Sequence, residues 1–145
     1  MHPNIISDDE ARVAELCRSA RRVAVLGIKT EEQSGQPAFY VPAALHAGGV
    51  EIVPVPVYYP DVTEILGARV YRRVADVPGD LDIVDVFRRS GDIEAHVDDI
   101  LAKRPRAVWL QSGIRNDAAA ERWAAAGILV VQERCLMVDY QHYIR

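Results

Sequence analysis

Short apolar runs alternate with longer amphipathic stretches along almost the whole chain. The runs have the length and composition of buried strands, and the stretches between them have the periodicity of helices. Alternation of this kind is typical of a mainly parallel sheet with helices on both faces. The sequence therefore predicts an α/β protein with a Rossmann-like, doubly wound sheet of five to six strands in three α/β/α layers.

Glycines, prolines and capping residues set the bounds of the predicted elements. Strands are predicted at 22–26, 51–55, 82–87, 107–110 and 128–131, and helices at 8–19, 38–47, 93–103 and 117–126. Ser7 and Glu10 form a capping-box pair before the first helix, and Pro37 suits the first turn of the second. Between 58 and 80 we expect only a short helical turn at 63–66 and a small strand at 69–71.

Composition narrows the class of protein. With 145 residues, half of them hydrophobic, the chain is expected to form one domain over 1–145. No apolar run approaches the roughly 20 residues of a membrane helix, and no signal peptide is recognised. The net charge of −4 argues against a nucleic-acid partner, and two distant cysteines form no zinc motif. We expect a cytoplasmic protein without membrane, nucleic-acid or metal partners.

The loop that follows the first predicted strand is the leading candidate for a ligand site. It begins at Gly27 and ends at a helix N-terminus, which attracts phosphate, and it is long for such a connection. Lys29 and Glu32 stand where a dinucleotide fingerprint has glycines, and no acidic residue ends the second strand, where 53–56 reads Val-Pro-Val-Pro. These departures disfavour NAD. The alternatives are another nucleotide or a simple solvated connection.

Other loops are expected at the same edge of the sheet. Arg88 and Arg89 end the third predicted strand in the manner of a phosphate clamp. The loop at 111–117 offers small hydrogen-bonding residues, although it also reads as an ordinary capped turn. Tyr58 and Tyr59 either stack on an adenine or cover the edge of the core.

The last predicted strand is followed by Arg134 and Cys135, which are expected at the same rim. Cys135 is either a reactive thiol beside a cation or, the interpretation that we favour, a small packed hydrophobe. No Ser/His/Asp arrangement or carboxylate pair can be recognised. The sequence therefore predicts no catalytic residue.

Taken in order, these segments resemble the small CoA-binding proteins whose domain is shared with the alpha subunit of succinate–CoA ligase. The resemblance covers about 21–137 and depends most on the Asp-Val-Phe-Arg-Arg run at 85–89. The other matching segments are 23–27, 36–41, 53–56, 64–71, 108–113 and 131–135.

The resemblance implies that coenzyme A, or an acyl-CoA, binds at the tips of the strands. The loop 28–36 and the next helix start would hold the phosphates, 55–58 would flank the adenosine, and 111–113 would meet the pantetheine. With Arg134 added from its place at the rim, the expected binding residues are Gly27, Ile28, Lys29, Thr30, Gln36, Pro37, Ala38, Val55, Pro56, Tyr58, Phe87, Arg88, Arg89, Gln111, Ser112, Gly113 and Arg134.

This chain departs from the family in its first loop, where Glu31 and Glu32 would repel an anionic ligand unless they face water. In the ligase, a phosphorylated histidine lies in a second domain, for which this length leaves no room. We therefore expect a CoA-binding protein without a catalytic centre of its own. The alternatives are a redox or acyl-transfer protein that uses Cys135, or an interaction subunit whose exposed tail, 139–145, docks a partner or a second copy.

Overall fold

The computed structural model describes residues 1–144 and contains a five-stranded parallel sheet with helices on both faces, which confirms the predicted fold class. The strands are β1 (Arg22–Leu26), β2 (Glu51–Val55), β3 (Glu64–Ile65), β4 (Ala68–Arg69), β5 (Ile83–Val86), β6 (Ala107–Leu110) and β7 (Leu129–Val131). The helices are α1 (Glu10–Ser19), α2 (Pro37–Ala47), α3 (Val97–Lys103), α4 (Asp117–Ala125) and α5 (Leu136–Tyr143).

The strand order of the large sheet is β2-β1-β5-β6-β7. The chain passes from β1 outward to β2 and then returns to β5 on the other side of β1. Leu26, near the end of β1, is in register with Val55 on one side and Val86 on the other. Because the winding direction reverses between β1 and β5, a crevice opens at the carboxyl edge between the loops that follow these two strands.

Each face of the sheet packs against its own apolar layer, as expected for parallel strands that are buried on both sides. Trp123 of α4 belongs to one layer and Trp109 of β6 to the other, and both side chains are fully buried. Asp85 of β5 is the exception. It is fully buried, and neither of its carboxyl oxygens has a hydrogen-bond partner within residues 1–144.

The segment between β2 and β5 differs from the prediction. The expected helical turn at 63–66 is wrong: Glu64–Ile65 and Ala68–Arg69 pair as a two-stranded antiparallel hairpin. Its two turn residues, Leu66 and Gly67, both have positive φ, 53° and 72°. Two such residues suit the tight turn that matches the twist of a hairpin, and strands of two residues leave no periodic pattern to recognise.

The end of the chain, expected as an exposed tail, is ordered over 139–144, with Asp139 buried and Gln141, His142 and Ile144 exposed. Most of it forms α5, which packs against α1 and α2.

The segment predicted as one helix at 93–103 consists of a 3₁₀ stretch, Ser90–His96, followed by α3. The first helix begins after Asp9, whose carboxylate accepts the N–H of Arg12 at 3.2 Å. Ser7 instead accepts the N–H of Gln132 at 2.8 Å and so joins the start of the chain to the end of β7.

Within residues 1–144, no helix has both the length and the apolar character needed to cross a membrane. The same part of the chain holds no group of three or more His, Cys, Asp or Glu side chains arranged around a metal position. Both cysteines are free thiols: Cys17 is buried, and Cys135 is partly exposed.

Candidate functional site

Gly27 closes the bottom of the crevice between β1 and β5. Its φ is +87°, and a Cβ atom built on it would clash with the carbonyl oxygen of Phe87. Its N–H donates to Val55 at 2.9 Å, while the N–H of Phe87 donates to Leu26 at the same distance. Only glycine tolerates both this backbone conformation and this approach of the two strand ends.

The loop that follows Gly27 is attached to α2 at a point where the helix lacks an internal donor. Pro42 lies inside α2 and has no N–H to give to the carbonyl of Ala38, four residues earlier. The N–H of Lys29 donates to that carbonyl instead, at 3.1 Å. Pro42 therefore does not break the helix, and Lys29 is held beside the first turn of α2.

The acidic residues of this loop lie outside the lining of the crevice. Thr30 and Gln33 form a capping box, in which the Thr30 N–H and hydroxyl donate to the Gln33 side chain at 3.1 and 2.7 Å. Glu31 accepts the N–H of Leu66 at 2.9 Å and so braces the β3–β4 hairpin. Glu31 and Glu32 are exposed and do not line the crevice, so solvent screens their charges from an anionic ligand.

The crevice contains a cavity of about 450 Å³, which we call the phosphate cleft. It is lined by Lys29, Gln36, Pro37, Ala38, Phe87, Arg88, Arg89, Ser90, Gly113 and Ile114. The first N–H of α2 is that of Ala38, because Pro37 has none, and the Gln36 side chain makes no capping bond to this helix. The Lys29 and Arg89 side chains form no ion pair or hydrogen bond within residues 1–144. This end of the helix and these cations together favour an anion.

Arg88 is held in place by three side chains. Its Nε donates to Nε2 of His96 at 3.2 Å, and one Nη lies 3.4 Å from the Tyr58 hydroxyl. The other Nη is 3.8 Å from the Asp92 carboxylate. Burial and the neighbouring Arg88 charge lower the pKa of His96, which keeps its ring neutral and able to accept this bond.

A second cavity of about 200 Å³, which we call the thiol chamber, adjoins the phosphate cleft. It is lined by Pro37, Tyr40, Val41, Phe87, Gln111, Ser112, Ile114 and Cys135. Pro37, Phe87 and Ile114 line both cavities. Gln111 is buried and accepts the N–H of Leu136 through Oε1 at 3.0 Å, which fixes the orientation of its amide.

The residues expected around the adenosine lie on the far side of Arg88. Pro56 lines a third cavity of about 470 Å³, together with Val57, Arg72 and His96. Tyr58 is 64% exposed, with Arg88 5.8 Å from the centre of its ring. Val55 is fully buried and takes part through its carbonyl bond to Gly27.

Three of the expected binding residues have structural roles in the described part of the chain. Ile28 is packed in the core at 1% exposure, and Thr30 is occupied by its capping box. Arg134 does not line the phosphate cleft. Its guanidinium donates to Glu10 at 2.7 Å and to Asp139 at 2.8 Å, which raises the pKa of Arg134 above its usual value.

Sequence reasoning missed Ser90 and Ile114 as lining residues and His96 as the acceptor for Arg88. Ser90 directly follows the arginine pair, so its place in the chain was an available signal. Ile114 lies in the loop 111–117 that was expected at this edge, whereas His96 carried no such signal, because its position depends on how the 3₁₀ stretch folds back over the strand ends.

The model of the CoA-binding domain family matches residues 21–141. The chain belongs to this family. An uncharacterized Bacillus subtilis protein, YneT, is 28% identical over 131 residues, which cover 90% of this chain and 93% of YneT. Among solved structures, the Thermus thermophilus protein called cell-free ID.343 is 34% identical with a TM-score of 0.84, over 93% of this chain and 98% of that protein.

A much larger protein shares the fold. The dinucleotide-forming acetyl-coenzyme A synthetase 1 of Ca. Korarchaeum cryptofilum, solved with phosphate and ADP, is 20% identical with a TM-score of 0.65. The match covers 80% of this chain and 26% of the synthetase. At this identity the likeness concerns the fold.

Proposed function

We propose that this protein binds coenzyme A, or an acyl-CoA, at the carboxyl edge of its sheet, and that it has no catalytic centre of its own. The observation that carries the proposal is the phosphate cleft. In a member of the CoA-binding domain family, two cations that pair with no other group within residues 1–144 and an open helix N-terminus meet at the reversal point of the sheet. A pyrophosphate is the group that such a cleft favours.

The three cavities support a direction for the ligand. The pyrophosphate would lie against Lys29, Arg89 and the first turn of α2. The adenosine would lie on the side of Pro56 and Tyr58, whose exposed ring is available for stacking. The pantetheine would pass Gln111–Gly113 into the thiol chamber.

Two groups that could react, His96 and Cys17, favour binding over turnover. His96 uses Nε2 to hold Arg88, so this nitrogen is not available as a base. Burial raises the pKa of the Cys17 thiol to about 12, which removes it as a nucleophile at neutral pH.

Calorimetric titration with CoA, dephospho-CoA and NAD tests this proposal. We expect CoA to bind most tightly and NAD most weakly, because Lys29 and Glu32 replace the glycines of a dinucleotide loop. If millimolar CoA produces no heat of binding and does not compete with dephospho-CoA or NAD, CoA binding is rejected. Tighter binding of NAD than of CoA would identify the cleft as an NAD site instead.

A second candidate function uses Cys135, since this partly exposed thiol lines the thiol chamber. Its thiolate would attack the disulfide of oxidised CoA, forming a mixed disulfide with one CoA and releasing the other as a thiol. Intact-mass measurement after incubation with oxidised CoA tests this step. An adduct of one CoA that is lost in Cys135→Ser supports it, and an unmodified protein excludes it.

A further inference from the structure

We infer that the thiol chamber receives the sulfur end of the cofactor and admits a short acyl group on it while excluding long ones. The inference rests on the proposed CoA binding and goes beyond it, because it names the class of thioester that the protein accepts. Three properties of the chamber carry it: its continuity with the phosphate cleft, the polar group in its wall, and its size.

The residues shared by the two cavities indicate the path of the ligand. Pro37 at the start of α2, Phe87 at the end of β5 and Ile114 after β6 form walls of both cavities. The chamber therefore lies directly beside the cleft that would hold the phosphates. The pantetheine arm is the part of CoA that extends away from the pyrophosphate on one side, with the thiol at its end.

Gln111 supplies the polar recognition that this arm needs. The residue is only 4% exposed, and its Oε1 is committed to the N–H of Leu136. Its Nε2 donates no hydrogen bond to another group within residues 1–144, so the amide nitrogen is available to a ligand in the chamber. The last amide carbonyl of pantetheine is a matching acceptor for this N–H.

Size sets the limit on the acyl group. Water occupies about 30 Å³ per molecule in the liquid, so the chamber of about 200 Å³ has room for about seven groups of that size. The terminal nitrogen, two carbons and sulfur of pantetheine fill roughly half of it, and an acetyl group fills most of the rest. The walls come from α2, from strand ends and from the loops that carry Ser112 and Cys135, and the fully buried Val41 gives way little to further methylenes.

Titration with acyl-CoAs of increasing length tests the limit. We expect CoA and acetyl-CoA to bind alike and octanoyl-CoA to bind at least about tenfold more weakly, because extra methylenes forced into a packed space are destabilising. Tyr40→Ala widens the chamber at a half-exposed position and should restore octanoyl-CoA binding. The matched control is Val138→Ala, an exposed apolar position outside the chamber. Equal or tighter binding of octanoyl-CoA by the unaltered protein would overturn the inference.

Alkylation of Cys135 locates the sulfur end of the ligand independently. Acetyl-CoA should slow the reaction of Cys135 with iodoacetamide, whereas adenosine 3′,5′-bisphosphate, which lacks the pantetheine arm, should not. Cys135→Ser shows the background from the buried Cys17. Equal protection by both ligands, or by neither while acetyl-CoA is bound, rejects the chamber as the thiol site. Failure of all CoA derivatives to bind would reject the proposed function itself.

Discussion

Arg88 donates its Nε–H to Nε2 of His96 across 3.2 Å, and this bond requires a neutral imidazole. Both burial and the Arg88 charge lower the pKa of His96 below 6.5, with Asp99 and Asp92 opposing the shift. The unfolded chain therefore binds the proton more readily than the folded one. By linkage, the free energy of unfolding falls as the pH drops below about 6.5 toward the lower pKa of the folded state.

His96→Gln should remove this pH dependence, since glutamine offers an acceptor that does not titrate in this range. Urea denaturation of both proteins between pH 5 and 8 measures it. We expect the stability of the unaltered protein to fall more steeply on acidification than that of the variant. If the free energy of unfolding changes equally with pH in both proteins, His96 is not the group responsible for the pH dependence.

Gly27→Ala should damage both the fold and the cleft. A Cβ at this position clashes with the Phe87 carbonyl, and a φ of +87° strains any other residue. We expect a loss of at least about 1–3 kcal/mol in the free energy of unfolding, with weaker CoA binding because Phe87 and Arg88 are displaced. Gly35→Ala is the control in the same loop, since a Cβ atom built there meets nothing within 4 Å beyond its chain neighbours. Thermal denaturation and CoA titration should separate the two variants, and similar behaviour of both would contradict the packing argument.

Arg89→Ala should weaken CoA binding with little change in stability, because this exposed guanidinium lines the phosphate cleft and forms no ion pair within residues 1–144. Loss of a charged hydrogen bond corresponds to about 1.5–3 kcal/mol, or roughly 10- to 150-fold in affinity. The control is Arg21→Ala, just before β1 at the opposite edge of the sheet, where the guanidinium donates to the backbone carbonyls of Arg18 and Ala20. Calorimetric titration with CoA at two salt concentrations should show that the affinity for CoA depends less on salt in Arg89→Ala than in the control. An unchanged affinity would show that Arg89 does not contact CoA.

The large sheet and the cleft follow from local patterns that the sequence displays. Strands buried on both faces leave continuous apolar runs, which is why β1, β2 and β6 begin and end as predicted. The contacts of single side chains were not predictable. Arg134 follows a strand just as Arg89 does, but its partner Glu10 lies at the opposite end of the chain. Helix α5 was missed because its position depends on packing against α1 and α2.

Arg134→Ala distinguishes a structural role from a ligand contact. The arginine joins Glu10 of α1 to Asp139 of α5, and its removal leaves Asp139, which is 9% exposed, without its charged partner. We expect a loss of about 1–3 kcal/mol in the free energy of unfolding and an unchanged affinity for CoA. Urea denaturation and calorimetry of the same preparation measure both quantities. A selective loss of affinity would show that Arg134 contacts the ligand after all.

Asp85→Asn should gain stability relative to the unaltered protein as the pH rises. Full burial raises the pKa of Asp85 well above 3.8, and no hydrogen bond within residues 1–144 offsets that burial. Above pH 3.8 the unfolded chain ionises this carboxyl while the folded state keeps it protonated, so the unaltered protein loses stability as the pH rises. Asparagine has nearly the same shape and no proton to lose. The difference between the two proteins should therefore be smallest near pH 3 and widen by up to about 1.4 kcal/mol per pH unit until the folded-state pKa is reached. Urea denaturation from pH 3 to 8 measures this difference, and one that stays constant with pH would mean that Asp85 ionises normally in the folded protein.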